Sequence, residues 1–252
     1  MCAVLAAAWL VGMASALASR ADEFRFDNEV FVGGEAEPEA RTTTIFLDRL
    51  VYDFLEKPAE VTVFDKAAGR FTLLDLTRRV RTEVSAKQVT ALTERLQAWA
   101  RVQTDPLLQF LAAPSFEEVF DAQTGRLALS SELVTYEVSA VSASSEAVSR
   151  QYREFSDWHC RLNTAIRPGA WPPLSRLMVN AALDARGLLP REVVRTHRSK
   201  PGFLAKKFTV RSEHRVFQQL AESDRQRIAQ IDQFLALFVP VSFEEYQAGI
   251  GG

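Results

Sequence analysis

This chain has few cysteines, few histidines and little net charge, and each of these properties excludes a class of protein. Only two cysteines occur in 252 residues, Cys2 and Cys160, so the fold cannot depend on a framework of disulfides. The formal net charge is −2, which gives no general attraction to nucleic acid or to a membrane surface. Hydrophobic residues make up 47% of the chain, enough for an ordinary globular protein with a sizeable core.

Metal and cofactor motifs are also missing. The three histidines, His159, His197 and His214, are scattered, and the chain has neither a Cys-x-x-Cys pair nor two histidines four residues apart. His197 and His214 could meet across the last hairpin of the chain, but no third ligand is evident. We therefore predict no metal site and no cofactor.

Phosphate-binding and nucleophile motifs are equally incomplete. Gly33-Gly34 precedes an acidic loop without the further glycines or the lysine of a phosphate-binding loop. No Gly-x-Ser-x-Gly elbow occurs. The acidic pairs Glu117-Glu118 and Glu244-Glu245 have no pocket from which a shifted pKa could be argued. No catalytic residue is assigned, and ligand-binding residues remain unknown at this point.

The segment Asp157-Trp158-His159-Cys160 contains every side chain that a thiol nucleophile requires. Its spacing argues against that role, because consecutive helical residues point in different directions. His159 also falls on the apolar stripe of a predicted helix. The sequence favours a packed histidine and an unreactive thiol, with Asp157 and Arg161 forming a surface pair across one helical turn.

The amino-terminal segment predicts export. Residues 3–18 are small or apolar and uncharged, and Ala16-Leu17-Ala18 fits the small-x-small rule of signal peptidase. We predict a signal peptide over residues 1–21, cleaved after Ala18 or Ala21, followed by a single domain over 22–252. No lysine or arginine precedes the apolar run, so a misplaced start codon, a retained anchor and a buried helix are the alternatives, and membrane association would come only from the anchor. The predicted location is periplasmic or extracellular.

One stretch departs from the even balance of charge. Residues 191–215 carry eight lysines or arginines and only two acids, Glu192 and Glu213. Such a stretch could meet an anionic head group or an acidic partner. The commoner role of a charge run, a solvated face of a hairpin, is the favoured interpretation.

The first half of the chain is typical of antiparallel β-structure. Short β-branched or aromatic segments at 42–48, 50–54, 60–65, 70–75 and 80–85 are separated by brief turns. The pattern Phe-Asp-x-x-x-Gly-Arg-apolar occurs at 64–71 and again at 120–127, which predicts two equivalent hairpins. In each, an Asp side chain binds turn amides and a glycine supplies the positive φ.

Helical signals appear in five places. Ser85 and Gln88 form a capping box before a helix over about 85–99, and Asp105-Pro106 begins a second. Apolar residues at spacings of three and four predict a long helix over 145–166. Pro172-Pro173 begins another, with Leu174, Leu177, Met178 and Ala181 facing inward, and a last helix covers 222–237. We predict an α+β fold with an antiparallel, curved sheet of about nine to eleven strands and helices on one face.

The order of these elements over 42–212 resembles the periplasmic lipoprotein-carrier (LolA-like) half-barrel superfamily. The strand pair 61–65 and 70–75, and Leu189-Pro190-Arg191-Glu192-Val193-Val194 leading into the strand near 203–211, carry the likeness. The resemblance implies an antiparallel half-barrel whose concave face, covered by helices, holds acyl chains. The helical insertion at 145–186 is larger than that pattern, and no functional residue is carried over. The chain also looks like exported proteins of environmental bacteria, which implies no activity.

Two functions follow as expectations. The first is an exported, non-enzymatic binding protein that holds a lipid-like or apolar ligand in a half-barrel. The alternative is a structural or protein-interaction module of the envelope, with a filled core, no ligand and an envelope protein as partner. An enzyme using His159 or Cys160 ranks behind both, and nucleic acid is not an expected partner.

Overall fold

A computed structural model describes residues 23–167, 169–199 and 206–249. The predicted signal peptide over 1–21 and the turn at Pro201-Gly202 lie outside these described residues. The described part contains six helices and one continuous sheet of twelve strands, which is curved and does not close into a barrel. The α+β class is therefore confirmed.

The sheet runs in the order β12-β6-β5-β4-β3-β2-β1-β11-β10-β9-β8-β7. All neighbours pair antiparallel except β12, which is parallel to β6. The strands are β1 (Phe24–Val32), β2 (Ala40–Leu47), β3 (Leu50–Leu55), β4 (Glu60–Asp65), β5 (Arg70–Asp75), β6 (Val80–Ser85), β7 (Glu117–Asp121), β8 (Arg126–Ser130), β9 (Val134–Ser142), β10 (Leu188–Arg198), β11 (Lys207–Phe217) and β12 (Val239–Pro240).

The prediction of nine to eleven strands was too low. The added strands are the first and the last, β1 and β12. β1 alternates Phe24 and Phe26 with Arg25 and Asp27, a strand pattern that the prediction overlooked, and it pairs with β2 on one side and β11 on the other. β12 has only two residues, so its sequence has no detectable period.

The helices are α1 (Ala86–Arg101), α2 (Pro106–Ala112), α3 (Glu146–Ile166), α4 (Leu174–Asp184), α5 (Glu222–Leu237) and α6 (Phe243–Ala248). Their predicted caps are confirmed at α1, where Ser85 and Gln88 bind each other's backbone amides. Asp105 caps α2 and Ser145 caps α3. These starts are local, since the cap and the amides it binds lie within one turn.

The helices pack on both faces of the sheet, which corrects the prediction of one face. Helices α1 and α3 join the strands in a core that contains Phe24, Phe64 and Phe71, and we call this the inner face. Helix α5 instead packs through Ile231 onto the opposite, outer face, beside Ile45 and other apolar side chains of β2–β5. Adjacent residues such as Ile45 and Phe46 point to opposite faces of a strand, so both faces of β2 are buried.

Both predicted hairpins with the Phe-Asp-x-x-x-Gly pattern are confirmed. In the β4–β5 turn, Asp65 accepts a hydrogen bond from the amide of Ala68 at 3.0 Å. In the β7–β8 turn, Asp121 accepts from the amide of Gln123 at 2.8 Å. Gly69 and Gly125 have φ of +57° and +66°, values that favour glycine.

The predicted inward face of α4 was wrong in part. Val179, Ala182 and Leu183 are buried, whereas Met178 is 37% exposed. The helix begins at Leu174 as the double proline predicts, but its rotation is set by packing against α3 and β10 rather than by its own apolar residues. This rotation places Ser175 and Arg176, at the start of α4, against the inner face of the sheet.

Candidate functional site

Two adjoining cavities lie between the inner face of the sheet and helices α3 and α4. The large chamber has a volume of about 630 Å³ and the small chamber about 330 Å³. Four residues line both chambers: Cys160, Asn163, Arg176 and Arg195. Both volumes fall within the range of about 300–1,000 Å³ that is usual for small-molecule sites.

Apolar side chains form much of each wall. The large chamber is bounded by residues of α2, β9 and the α3–α4 connection: Leu111, Val134, Tyr136, Trp171, Pro172 and Pro173. The small chamber is bounded by residues of β1, β2, α3 and β11: Phe26, Val30, Phe46, Tyr152, Phe155 and Val210. Such walls suit an apolar ligand, whose transfer from water is favourable.

The strands that form the floor change from apolar to polar along their inward positions. In β10, Val193 lies in the core, whereas Arg195 and His197 continue the same alternation into the large chamber. In the small chamber, Asn28 pairs with His214 on one side and with Thr42 on the other, so these residues form one cross-strand row. A solid core would place aliphatic residues in such a row.

Three aromatic rings lie together at one side of the large chamber. The ring of His197 lies 4.5 Å from Trp171 and 5.0 Å from Phe208, measured between centroids. Phe208 is 42% exposed, so this aromatic cluster reaches the solvent. Arg195 adds its guanidinium over the Trp171 ring at 5.3 Å. An apolar ligand that enters from this side would first meet aromatic surface.

Two of the histidines that line the chambers, His214 and His197, are neutral at neutral pH because their pKa values are lowered. Burial lowers the pKa of His214 to about 3, and the positive charge of Arg176 adds to the effect. Burial, together with Arg195, also lowers the pKa of His197. His214 Nε2 is 3.2 Å from Ser212 Oγ, while its Nδ1 is buried without a hydrogen-bond partner among the described residues.

Acidification is expected to destabilise the fold through His214. Its folded-state pKa is lowered, so below about pH 6.5 the unfolded chain takes up a proton that the folded chain does not. Stability is therefore lost as the pH falls from about 6.5 toward 3, by up to about 1.4 kcal/mol per pH unit. Urea titrations should show that the free energy of unfolding of wild type falls more than that of His214→Gln as the pH is lowered from about 6 to about 4. Parallel pH profiles would contradict this assignment.

The predicted Asp157–Arg161 pair is wrong. Asp157 instead accepts from Arg153 at 3.3 Å and from Asn180 at 2.8 Å, while Arg161 lies over the Trp158 ring. Packing of α4 against α3 supplies Asn180, which the sequence of α3 alone cannot indicate. The carboxylate thus joins two helices rather than activating a thiol.

His159 and Cys160 do not form a nucleophile pair. His159 is 2.7 Å from Asn163 and 3.7 Å from the buried carboxylate of Asp53. Cys160 lines both chambers, and burial raises the pKa of its thiol, which favours the protonated form at neutral pH. The geometry agrees with the prediction that neighbouring helical residues point apart.

His197 and His214 do not meet. His197 pairs across β10 and β11 with Phe208, six residues before His214 on β11, a separation of about 20 Å along an extended strand. The two rings therefore line different chambers. Within the described ranges, no three His, Cys, Asp or Glu side chains gather as a metal set.

The other candidate residues have structural roles. Gly33 and Gly34 form the turn after β1, with φ of +68° and +89°. Glu118 accepts from Arg186 at 2.6 Å. Glu245 completes a capping box with Ser242 at the start of α6. None of these residues lines either chamber.

Sequence reasoning named His159, Cys160, His197 and His214 only as candidate nucleophile or metal residues, and it missed Ser175 and Arg176. Arg195 was included only in a basic stretch that was expected to face solvent. The signal in the sequence is weak. Along β1, β10 and β11, some of the alternate positions that point to the inner face carry polar residues. That signal needs the register of three strands that are distant in the sequence.

Comparisons with known proteins give no family model that matches the chain and no curated protein that matches it. Among the described residues, none of the helices has both the length and the apolar character needed to cross a membrane.

Proposed function

We propose that this chain is an exported, non-enzymatic binding protein that holds a lipid-like or apolar ligand between its sheet and helices α3 and α4. The observation that carries the proposal is the pair of adjoining chambers, about 630 and 330 Å³, with largely apolar walls. A curved, unclosed sheet with helices over its inner face also supports the proposed likeness to the LolA-like half-barrels. Export itself depends on the predicted leader over residues 1–21.

The walls explain how such a ligand would gain free energy. Each methylene group moved from water to an apolar surface contributes about 0.8 kcal/mol. Val134 and Leu111 supply aliphatic surface, and Trp171 supplies an aromatic wall at the exposed side. Binding by such walls requires no catalytic group, in keeping with the raised pKa of Cys160.

Titration with Nile red, an uncharged apolar fluorophore, tests whether the chambers bind. Wild type should show saturable fluorescence enhancement with one site. Ala170 lines the large chamber, so Ala170→Trp should fill it and weaken binding by about tenfold or more. Ala185 is exposed at the end of α4 and lines neither chamber, so Ala185→Trp is the matched control and should bind as wild type does.

Lipid extraction provides the complementary measurement. Protein purified without detergent from its native compartment should release a lipid-like molecule that mass spectrometry detects, and Ala170→Trp protein should release less. Absence of saturable Nile red binding, together with a reproducibly empty protein, would overturn the proposal.

A specific feature favours the alternative function, an envelope interaction module. Strand β7 lies at the edge of the sheet and exposes Val119 to 58%. An exposed edge strand presents unpaired backbone groups that another chain can extend. A Val119→Lys variant that loses a co-purifying envelope protein, in a protein that binds no Nile red, would favour this alternative.

A further inference from the structure

Arg176 lies where the two chambers adjoin. It is the third residue of α4 and lines both cavities. Arg176 is half-buried, and its guanidinium lies near the hydroxyls of Tyr152 and Tyr136 and the thiol of Cys160. A charged side chain in such a position normally has a carboxylate partner.

No such partner is present among the described residues. Neither Arg176 nor Arg195 forms an ion pair with a described carboxylate. The neighbours of Arg176 are neutral as well, because burial raises the pKa of Tyr136, Tyr152 and Cys160. The one acid in the small chamber, Asp53, accepts from Thr44 at 2.6 Å and faces His159.

The start of α4 adds positive potential to the same wall. Pro173 occupies the cap position and has no side-chain acceptor, and while the amide of Arg176 donates to the Pro173 carbonyl at 3.0 Å, the amides of Leu174 and Ser175 have no partner among the described residues. Unpaired amides at a helix start, together with the helix dipole, attract anions. Ser175, which is 2% exposed and lines the large chamber, has a hydroxyl without a hydrogen-bond partner among the described residues.

Other unpartnered polar atoms surround the chambers. Seven buried side-chain atoms lack a hydrogen-bond partner within the described part of the chain, and five of them belong to chamber-lining residues: Asn28 Oδ1, Ser175 Oγ, Arg195 Nε, His197 Nδ1 and His214 Nδ1. Buried polar groups are normally paired. Two of these atoms, Ser175 Oγ and Arg195 Nε, are hydrogen-bond donors in the wall of the large chamber that also contains Arg176, so the polar part of a ligand that accepts hydrogen bonds would complete them.

We infer that the ligand is a single-chain amphiphile with an anionic head group, a carboxylate or a phosphate, which binds Arg176, Arg195 and the start of α4. The inference rests on the proposed function, because the apolar chain occupies the chamber walls described above. Arginine suits this role, since its planar fork of N–H donors matches both carboxylate and phosphate oxygens.

Three probes with the same apolar chain distinguish the contribution of the head group to affinity from that of the chain. They are palmitate, hexadecyl phosphate and uncharged hexadecanol, each used below its aggregation limit. Displacement of Nile red from wild type should show at least one anionic probe binding about tenfold or more tighter than hexadecanol. Tighter binding of palmitate supports a carboxylate head group, and tighter binding of hexadecyl phosphate supports a phosphate.

Arg176→Met should abolish this preference while leaving the affinity for hexadecanol within about twofold of wild type. The variant should fold, because removal of a charge without a partner leaves no opposite charge unpaired. Arg195→Met tests the second guanidinium independently and should reduce the preference as well. Arg161→Met is the matched control, since Arg161 is half-buried on α3 and lines neither chamber.

The outcomes separate this inference from the proposed function. Equal affinities of wild type for the anions and for hexadecanol would overturn the anionic head group and leave the apolar binding site intact. An undiminished anion preference in both Arg176→Met and Arg195→Met would also overturn it. Failure of Nile red and all three probes to bind would reject the proposed function itself.

Discussion

Phe71→Ala is expected to destabilise the protein by about 3–5 kcal/mol, the usual cost of truncating a buried aromatic residue. Phe71 on β5 is 1% exposed, and its ring stacks on Phe64 at 4.5 Å between centroids. Trp158 of α3 packs on both rings, at 6.2 Å from Phe64 and 5.9 Å from Phe71. The substitution therefore removes one of the aromatic contacts that hold the long helix on the sheet. Chemical unfolding followed by tryptophan fluorescence measures the loss.

Phe217→Ala is the matched control. Phe217 ends β11, is 40% exposed, and interacts chiefly with the guanidinium of Arg25, 4.7 Å from its ring. Its loss should cost less than about 1 kcal/mol, because little apolar surface returns to water. Similar losses of unfolding free energy for the two variants would contradict the burial of Phe71 in the core between β4, β5 and α3.

Features that depend on neighbouring residues were predictable from the sequence. The capping box of Ser85 and the long helix α3 each depend on contacts within a turn or two. The two Phe-Asp-x-x-x-Gly hairpins are equally local, since Asp65 and Asp121 bind amides two or three residues away. Physical rules of capping and turn geometry therefore suffice to place them.

The chambers were not predictable in the same way. Arg176 follows a double proline at the start of a helix, a position where an arginine usually faces solvent. Its place in the chamber wall depends on how α4 rotates against α3, and on the register that brings Arg195 of β10 opposite Val210 of β11. Both are determined by contacts between segments far apart in the chain.

The position of α5 illustrates the same limit. Its extent over 222–237 was predicted correctly, and Ile228, Ile231 and Phe234 form an apolar stripe. A stripe shows that a helix packs on something but not on which face of a sheet. Apolar side chains on both faces of β2–β5, such as Ile45 and Phe46, supply the missing information only once the strands are assembled.

A second large effect is expected from Gly125→Ala, and the repeated hairpin offers its own control in Gly69→Ala. Both glycines have positive φ, so an alanine costs about 1–2 kcal/mol at either position. At Gly125 a Cβ atom would also lie 2.7 Å from the backbone oxygen of Ala140, whereas at Gly69 the nearest atom is a methyl group at 3.8 Å.

The clash at Gly125 cannot be relieved by turning a side chain. The amide of Ala140 donates to the carbonyl of Gly125 at 2.9 Å, so the turn and β9 are tied together through their backbones. Moving the turn away from β9 to admit the Cβ atom costs about 1–3 kcal/mol, in addition to the cost of the positive φ. Thermal unfolding should therefore place Gly125→Ala well below Gly69→Ala, and equal melting temperatures would contradict the close approach of the β7–β8 turn to β9. Because β9 carries Val134 and Tyr136 into the large chamber, Gly125→Ala should weaken Nile red binding as well, which Gly69→Ala should leave unchanged.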